Sequence, residues 1–322
     1  MAHKGRITKK TVWILILIVT GVLVFSYNAF SYDLFNYIFD AKIVTHYHQN
    51  PYIHKALDYS GDPMLSFMRW THRTYPYGPV WLLLTVPLSF LGFGLFLPTF
   101  FLFKIASAAS FLGLVYFMGK IIKKIKPQNE IFGMIFLGLN PLIIIEGLVS
   151  AHLDIVMMFL ATLSLYLLIE NKHLSSFLSF ILSGGIKFAT FFLAPVYFLY
   201  FMYSRKKKTI NWDMFFFICL VLMIATVIIQ SVRTNFQPWY LLEVIPFATA
   251  ASKKYYIFIP TFVISLFSLL QYVPFLYLGN WDNPVPSILF KLTLGGIVIS
   301  GLTVLTCSFY VKIREHANFE KT

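Results

Sequence analysis

The sequence predicts an all-α protein, a polytopic transmembrane helical bundle, and three observations carry that prediction. Only 12% of the 322 residues are charged and 58% are hydrophobic, whereas a soluble domain carries about 25% charged residues. The apolar residues gather in runs of membrane-spanning length, such as 11–30, 98–118 and 287–306; a bilayer core of about 30 Å takes roughly 20 apolar residues per helix. These runs lack the strict alternation of barrel strands, so their backbone hydrogen bonds are satisfied inside helices. A mean hydropathy of +0.73 agrees.

The elements follow from the charges between the runs. The run 11–30 comes after Lys4, Arg6, Lys9 and Lys10, like the start of a signal peptide. It is longer than a signal core and has no small-x-small cleavage site before Asp33, so it reads as an uncleaved helix. Short basic loops stay in the cytoplasm. Those loops are the N-terminus, 120–126 (KIIKKIK), Lys172, 205–208 (RKKK), Lys253–Lys254 and Lys312–Arg314. Helix one therefore leads out, and the polar stretch 31–78 is extracytoplasmic.

Two crossings within 79–118 would strand KIIKKIK outside. One crossing at 98–118 is expected instead, after a segment 79–97 that enters the outer leaflet and returns or lies along it. The cut falls at the helix breakers Gly92, Gly94 and Pro98. Residues 131–149 then lead out, 154–170 back, 174–186 out, 188–203 back, 213–230 out, 238–251 back, 255–275 out and 287–310 back. The scheme has about ten crossings with both termini cytoplasmic. Segments 174–186 and 238–251 are too short to span alone, which a cavity open to the outer face would explain. The chain reads as one integral-membrane domain, 1–322, with a first outer loop 31–78, a core module 79–245 and C-terminal helices 246–322. The net charge of +13 lies at helix ends and so marks topology rather than nucleic-acid binding. Cys219 and Cys307 sit in apolar runs as small apolar residues, not as a disulfide or metal pair.

This topology collects polar residues on one side. Of 13 acidic residues, Asp33, Asp40, Asp58, Asp62, Asp154, Glu243 and Asp282 fall in the outer set or at its edge. Asp33 and Asp40 are two helical turns apart, so an amphipathic surface helix would put both on one face and Phe35 and Phe39 on another. The alternative is a pair of capping or solvated acids. His46, His48, His54 and His72 show no metal-ligand spacing and read as surface or hydrogen-bonding histidines. His152 and Asp154 begin a helix, where Asp154 either favours the N-terminus or faces the cavity. Lys187 lies between Gly184–Gly185 and a long apolar run; it either snorkels or meets a phosphate at the outer face, a job for which Arg233 and Lys104 are weaker candidates. Trp239 and Tyr240 suit an interfacial belt.

Taken in order, these motifs resemble GT-C superfamily glycosyltransferases, especially polyprenyl-phosphate-mannose-dependent mannosyltransferases. Asp33 in SYDLFNYIFDAK matches the early loop acid of that family, and Asn50-Pro51-Tyr52 resembles its NPY, with Gln49 in place of glycine. Tyr75-Pro76-Tyr77-Gly78-Pro79 resembles YPYGP, Asn140-Pro141-Leu142 with Glu146 the NPL helix, and His152-Leu153-Asp154 the HND element with Leu for Asn. Gly185 and Lys187 resemble GxK, and Gln237-Pro238-Trp239-Tyr240-Leu241-Leu242 the late WYLL segment; the similarity covers roughly 30–245.

The resemblance implies a GT-C-like bundle that takes a sugar, mannose favoured, from a polyprenyl monophosphate at the extracytoplasmic face of a prokaryotic plasma membrane. The acceptor is a hydroxyl of a glycan or glycolipid, and transfer is inverting. Asp33 is then the general base and Lys187 the leading donor-phosphate partner, with Arg233 and Lys104 behind it. Asp40, Asp62, Tyr77, His152, Asp154, Gln237, Trp239 and Tyr240 line the site. No metal or cofactor is expected, because a cation suffices to stabilise a monophosphate leaving group. Two rival readings remain: a transporter or flippase for a lipid-linked glycan, and a glycan polymerase or ligase using a pyrophosphate-linked donor.

Overall fold

The structure, a computed structural model, describes residues 7–251 and 254–319. Lys4, Arg6 and Lys253 of the basic clusters lie outside the described residues. The described chain is helical throughout, and no strand occurs among the described residues.

The chain opens with α1 (Lys9–Leu23), whose first turn is capped by the Thr8 hydroxyl accepting from the Thr11 N–H. Helix α2 (Asp33–Thr45) follows, then an irregular loop to Gly78, then α3 (Pro79–Leu91) with proline at its first position. The turn at Gly92–Leu95 breaks the apolar run where the glycines predict, and α4 (Phe96–Ile125) runs on for 30 residues. Residues 79–118 thus hold a short apolar helix and the start of one helix long enough to cross a bilayer.

Helices α5 (Glu130–Gly138) and α6 (Pro141–Ile144) meet at Asn140, whose side-chain oxygen accepts from the Leu142 and Ile143 N–H groups. A π-helical turn, Ile145–Val149, continues α6, and the two halves bend by 52°. The chain then forms α7 (Asp154–Ile169), α8 (His173–Ile186), α9 (Ala194–Arg205) and α10 (Trp212–Thr234). A 3₁₀ turn, Pro238–Glu243, leads into α11 (Ile245–Ala251), and α12 (Tyr255–Leu270), α13 (Tyr272–Leu278) and α14 (Val285–Phe319) complete it.

Four helical segments are long and apolar enough to cross a bilayer: Phe96–Ile125, Trp212–Thr234, Tyr255–Leu278 and Val285–Val311; the bent pair would be a fifth. These make the chain an integral membrane protein. Half of the apolar window of α4 is buried inside the protein but only 11% of that of α14, so α4 is the central post and α14 the lipid-facing periphery.

In a bilayer the hydrophobic effect does not drive helices together, so close contact and interhelical hydrogen bonds must. Helices α7 and α8 show both. Ser164 and Ser176 each donate to the other's carbonyl, at 2.5 and 2.8 Å, and Ser183 donates to the Met157 carbonyl at 2.8 Å. The loop before α3 docks on the end of α8 just as tightly. The Gly78 N–H donates to the Ile186 carbonyl at 2.9 Å, and a Cβ on Gly78 would sit 2.1 Å from the Gly185 carbonyl oxygen. The two motif glycines therefore meet, backbone against backbone. Gly78→Ala is expected to cost about 1–3 kcal/mol of stability, read as a lower melting temperature in detergent.

One expectation needs correction. Helix α2 is not an amphipathic surface helix: Asp33 through Phe39, Ala41 and Ile43 are all buried. The loop 46–78 folds over it, setting the Tyr59 and Phe67 rings at a tilt against Phe39 and Phe35, while α3 and α4 close it from below through Trp81 and Phe100.

Candidate active site

Asp33 opens α2, and two local devices bring partners to it. The first is the π turn. Wider winding lets the Ser150 N–H reach back to Ile145, Ala151 then takes a positive φ of 52°, and the His152 N–H returns to the Glu146 carbonyl at 3.0 Å. Lys104 of α4 donates to the Leu148 carbonyl and, at 2.9 Å, to that of Val149, satisfying the carbonyls this turn leaves open. Glu146 and His152 are thereby fixed one after the other. The second device is the loop over α2, which hangs Trp70 above the helix start.

The result is a row of polar groups, buried from Asp33 to Tyr272 with Trp70 at its exposed end. The Trp70 indole N–H donates to Asp33 Oδ1 at 3.0 Å. Asp33 Oδ2 lies 3.6 Å from His152 Nδ1, and His152 Nε2 lies 3.3 Å from Glu146 Oε2. The Tyr272 hydroxyl donates to Glu146 Oε1 at 2.8 Å. Trp239 stacks on the imidazole at 4.2 Å between ring centroids, nearly parallel at 18°. Burial pushes the Asp33 carboxyl above the ordinary aspartate range; His152, the Trp70 N–H and Arg73 pull it back only in part. Burial would lower the His152 imidazole, but the carboxylates of Glu146 and Asp33 on either side of it raise it.

Beside this row lies a second one. Lys187, the residue that caps α8, donates to Asp154 Oδ1 and Glu243 Oε1, both at 2.8 Å. Gln230 donates to Glu243 Oε2 at 2.7 Å, and the Lys187 ammonium sits 4.7 Å from the Tyr240 ring centroid. Of the two segments too short to span alone, 174–186 ends on this ion pair as α8, and 238–251 contributes Glu243 from the 3₁₀ turn within it.

Of the residues expected from sequence, Asp33, His152, Asp154, Lys187, Trp239 and Tyr240 come together in these two rows. Asp40 lies two turns further along α2, half-buried, its carboxyl pushed up to about 8 by burial with Arg73 opposing. Tyr77 stands edge-on to Tyr37 at 5.3 Å, on the wall that carries Asp33. Gln237 precedes the 3₁₀ turn and bonds Tyr240 through its carbonyl at 3.1 Å. Asp62 belongs instead to the loop's own scaffold. It accepts from Lys42, from the Tyr47 hydroxyl at 2.6 Å and from the Met64 N–H at 2.9 Å. Burial would raise its carboxyl, but these bonds win and hold it low.

Two of the three expected phosphate cations have other partners here. Lys104 is spent on main-chain carbonyls, and Lys187 stands between two carboxylates. Arg233 is exposed near the end of α10. Sequence reasoning did not single out Trp70, Arg73 and Tyr272, nor Gln230. The Arg73 guanidinium lies 4.0 Å from the Trp70 ring centroid, over the ring that holds Asp33, and Arg69 lies 5.6 Å from that of Phe275. The signal for these was a basic-aromatic stretch, Arg69-Trp70-Thr71-His72-Arg73, in an otherwise acidic outer loop. Glu146 carried a signal too, an acid inside an apolar run. Among the described residues, no three His, Cys, Asp or Glu side chains are grouped to hold a metal ion.

Residues 1–203 match a family model described as alpha-(1->6)-mannopyranosyltransferase, N-terminal domain. No curated protein and no solved structure matches the chain. The matched span includes Asp33, Trp70, Glu146, His152, Asp154 and Lys187; Trp239, Glu243 and Tyr272 lie beyond it.

Proposed function

The chain belongs to the alpha-(1->6)-mannopyranosyltransferase family, and from that premise we propose that it moves one mannosyl group from a polyprenyl monophosphate to a sugar hydroxyl, with Asp33 as general base. The family name makes the enzyme a glycosyltransferase of the mannosyltransferase kind. It also suggests a primary hydroxyl, the O6 of a mannose-bearing glycan or glycolipid, as acceptor.

Asp33 is the observation that carries this reading. Its carboxylate is buried yet held by an indole N–H and faced by an imidazole at 3.6 Å, and each carboxylate oxygen keeps a lone pair for an incoming hydroxyl. In the proposed step the acceptor O–H gives its proton to Asp33 and its oxygen attacks the anomeric carbon. The bond from that carbon to the phosphate oxygen breaks, and the phosphate leaves with the electron pair. Positioned general-base catalysis contributes about 10²–10⁴-fold. Glu146 and Tyr272 orient His152, as the buried acid of a triad orients its imidazole. Arg73 and Arg69, on the loop beside Asp33, are the cations we assign to the leaving phosphate. Inversion at a β-linked donor yields the α linkage of the family name.

We place this chemistry at the extracytoplasmic face of a GT-C-like bundle of about ten crossings, both termini inside. The lysine-rich ends of α4 and α9 support that side, because they point away from Asp33. Purified protein given a mannosyl-phosphopolyprenol and a short mannoside should extend the acceptor by a single hexose. Movement of labelled lipid between leaflets with no glycoside formed would make it a flippase, and growth by whole oligosaccharides a polymerase.

The base works only when deprotonated. Because burial raises the Asp33 carboxyl, the acid limb of kcat/KM is expected above the ordinary aspartate midpoint of about 3.9. Trp70→Phe removes a hydrogen bond to the charged form. It should shift that limb upward by about 1–2 pH units, as measured in a pH–rate profile.

A further inference from the structure

Helices α4, α7 and α10 each run from the Asp33 and Lys187 groups to the opposite end of the bundle. Helix α4 starts with Phe96 and Phe100 against Phe35 and ends at Lys124–Ile125; α7 starts at Asp154 and ends at Ile169. Helix α10 runs the other way, from Trp212 to Gln230 and Thr234 beside Glu243 and Tyr240. At that far end they border, with the end of α9, an open cavity of about 540 Å³. Lys124, Tyr200, Ser204, Lys207, Lys208 and Trp212 supply its polar and aromatic lining, and isoleucines fill between them.

The walls are built. Tyr200, buried, donates to the Leu168 carbonyl at 3.1 Å and to Asn171 Oδ1 at 3.2 Å. Both helices that end here finish in a left-handed turn. In α7 the Lys172 N–H returns to Leu167 with Asn171 at φ 58°; in α9 the Lys208 N–H returns to Tyr203 with Lys207 at φ 50°. Glycine is the usual residue at such a position; α7 has an asparagine there and α9 a lysine.

Lysines at helix C-termini commonly serve the last carbonyls, and some of these do. Lys124 donates to the Ile169 carbonyl at 3.3 Å and pairs with Glu170 at 3.0 Å, and Lys126 reaches the Ala251 carbonyl and Asp213. Lys207 and Lys208 differ. Their ammonium groups have no carbonyl or carboxylate partner among the described residues, and both line the cavity. Three lysines against Glu170 leave the cavity with a surplus of two positive charges, which matches a phosphate. Its size is that of a small-molecule site, and its rim is apolar: Phe201, Met202 and Tyr203 are exposed on the adjoining turn of α9.

We infer that this cavity is a second, anion-binding site that takes a phosphate group, the head group of an anionic phospholipid in the leaflet at that end of the bundle. A basic pocket between membrane helices recognises such a head group through charge-assisted hydrogen bonds. The site is separate from the Asp33 centre and stands or falls without it.

The test is lipid retention by the full-length protein in non-ionic detergent, read by native mass spectrometry with equimolar phosphatidylglycerol and phosphatidylcholine. Phosphatidylglycerol should be retained about tenfold over phosphatidylcholine. The double variant Lys207→Gly/Lys208→Gln should lose that preference while melting no lower than wild type, since glycine suits the left-handed turn. Lys208→Gln alone provides the same readout without touching that turn. Lys206→Gln removes an equal charge from the same turn without lining the cavity, and should keep the preference. A second arm adds inorganic phosphate. Displacement of the lipid at millimolar phosphate would make the ligand a soluble phosphate at the same site; resistance to it assigns the site to the lipid. Equal retention of the two lipids by wild type would overturn the inference. So would equal retention of phosphatidylglycerol by wild type and variants, or an equal loss in Lys206→Gln.

Discussion

Asp33→Asn is expected to lower mannosyl transfer by about 10³-fold or more while leaving the protein folded. The amide keeps the shape of the carboxyl group and its Oδ1 can still accept from Trp70, so the start of α2 has no reason to move. What it loses is the capacity to take a proton. It also removes the negative charge facing His152, but Glu146 on the other nitrogen remains to hold the ring. Transfer rates at saturating donor and acceptor, set beside the melting temperature of the same preparation, check this. A variant with wild-type turnover removes Asp33 from the base role. A variant that melts far below wild type makes its role structural.

Lys187→Met is expected to have the largest effect on stability. Asp154 and Glu243 are both buried, and one ammonium serves both at 2.8 Å. Removing one partner of a buried ion pair costs about 3–5 kcal/mol, because the remaining charge is left without compensation. The expected readout is a sharply lower melting temperature or failure to purify. Pairing Lys187→Met with Glu243→Gln removes one of the stranded charges, and should recover a good part of the loss. A Lys187→Met variant as stable as wild type but deficient in donor use would show that the ammonium serves a phosphate instead.

Much of the helix plan was legible because apolar runs end where helices end. The expected 98–118 became Phe96–Ile125, 154–170 became Asp154–Ile169, and 174–186 became His173–Ile186. Glycine and proline marked the break before α4 for a local steric reason, and local reasons survive folding. Burial of α2 was not legible, since it depends on a loop that begins after the helix and closes back over it. The same distinction runs through the site. Asp33, His152 and Lys187 announced themselves as polar residues in apolar or motif-like surroundings. Their partners did not: Trp70 is 37 positions from Asp33, and Tyr272 is 126 from Glu146. Lys187 looked like a free cation because its acids, Asp154 and Glu243, are 33 and 56 positions away. Tertiary pairing decides the charge state of such a group, and residue type and spacing do not encode it.

A single inverting displacement at Asp33 is most directly tested by the anomeric configuration of the product. Wild-type protein would be supplied with a β-linked mannosyl-phosphopolyprenol and a mannoside acceptor, and the product examined by proton NMR, the protein by intact mass. The expected result is one added hexose in α linkage and a protein of unchanged mass throughout turnover. Retention of the donor's configuration, or a glycosyl adduct on Asp33, would contradict it.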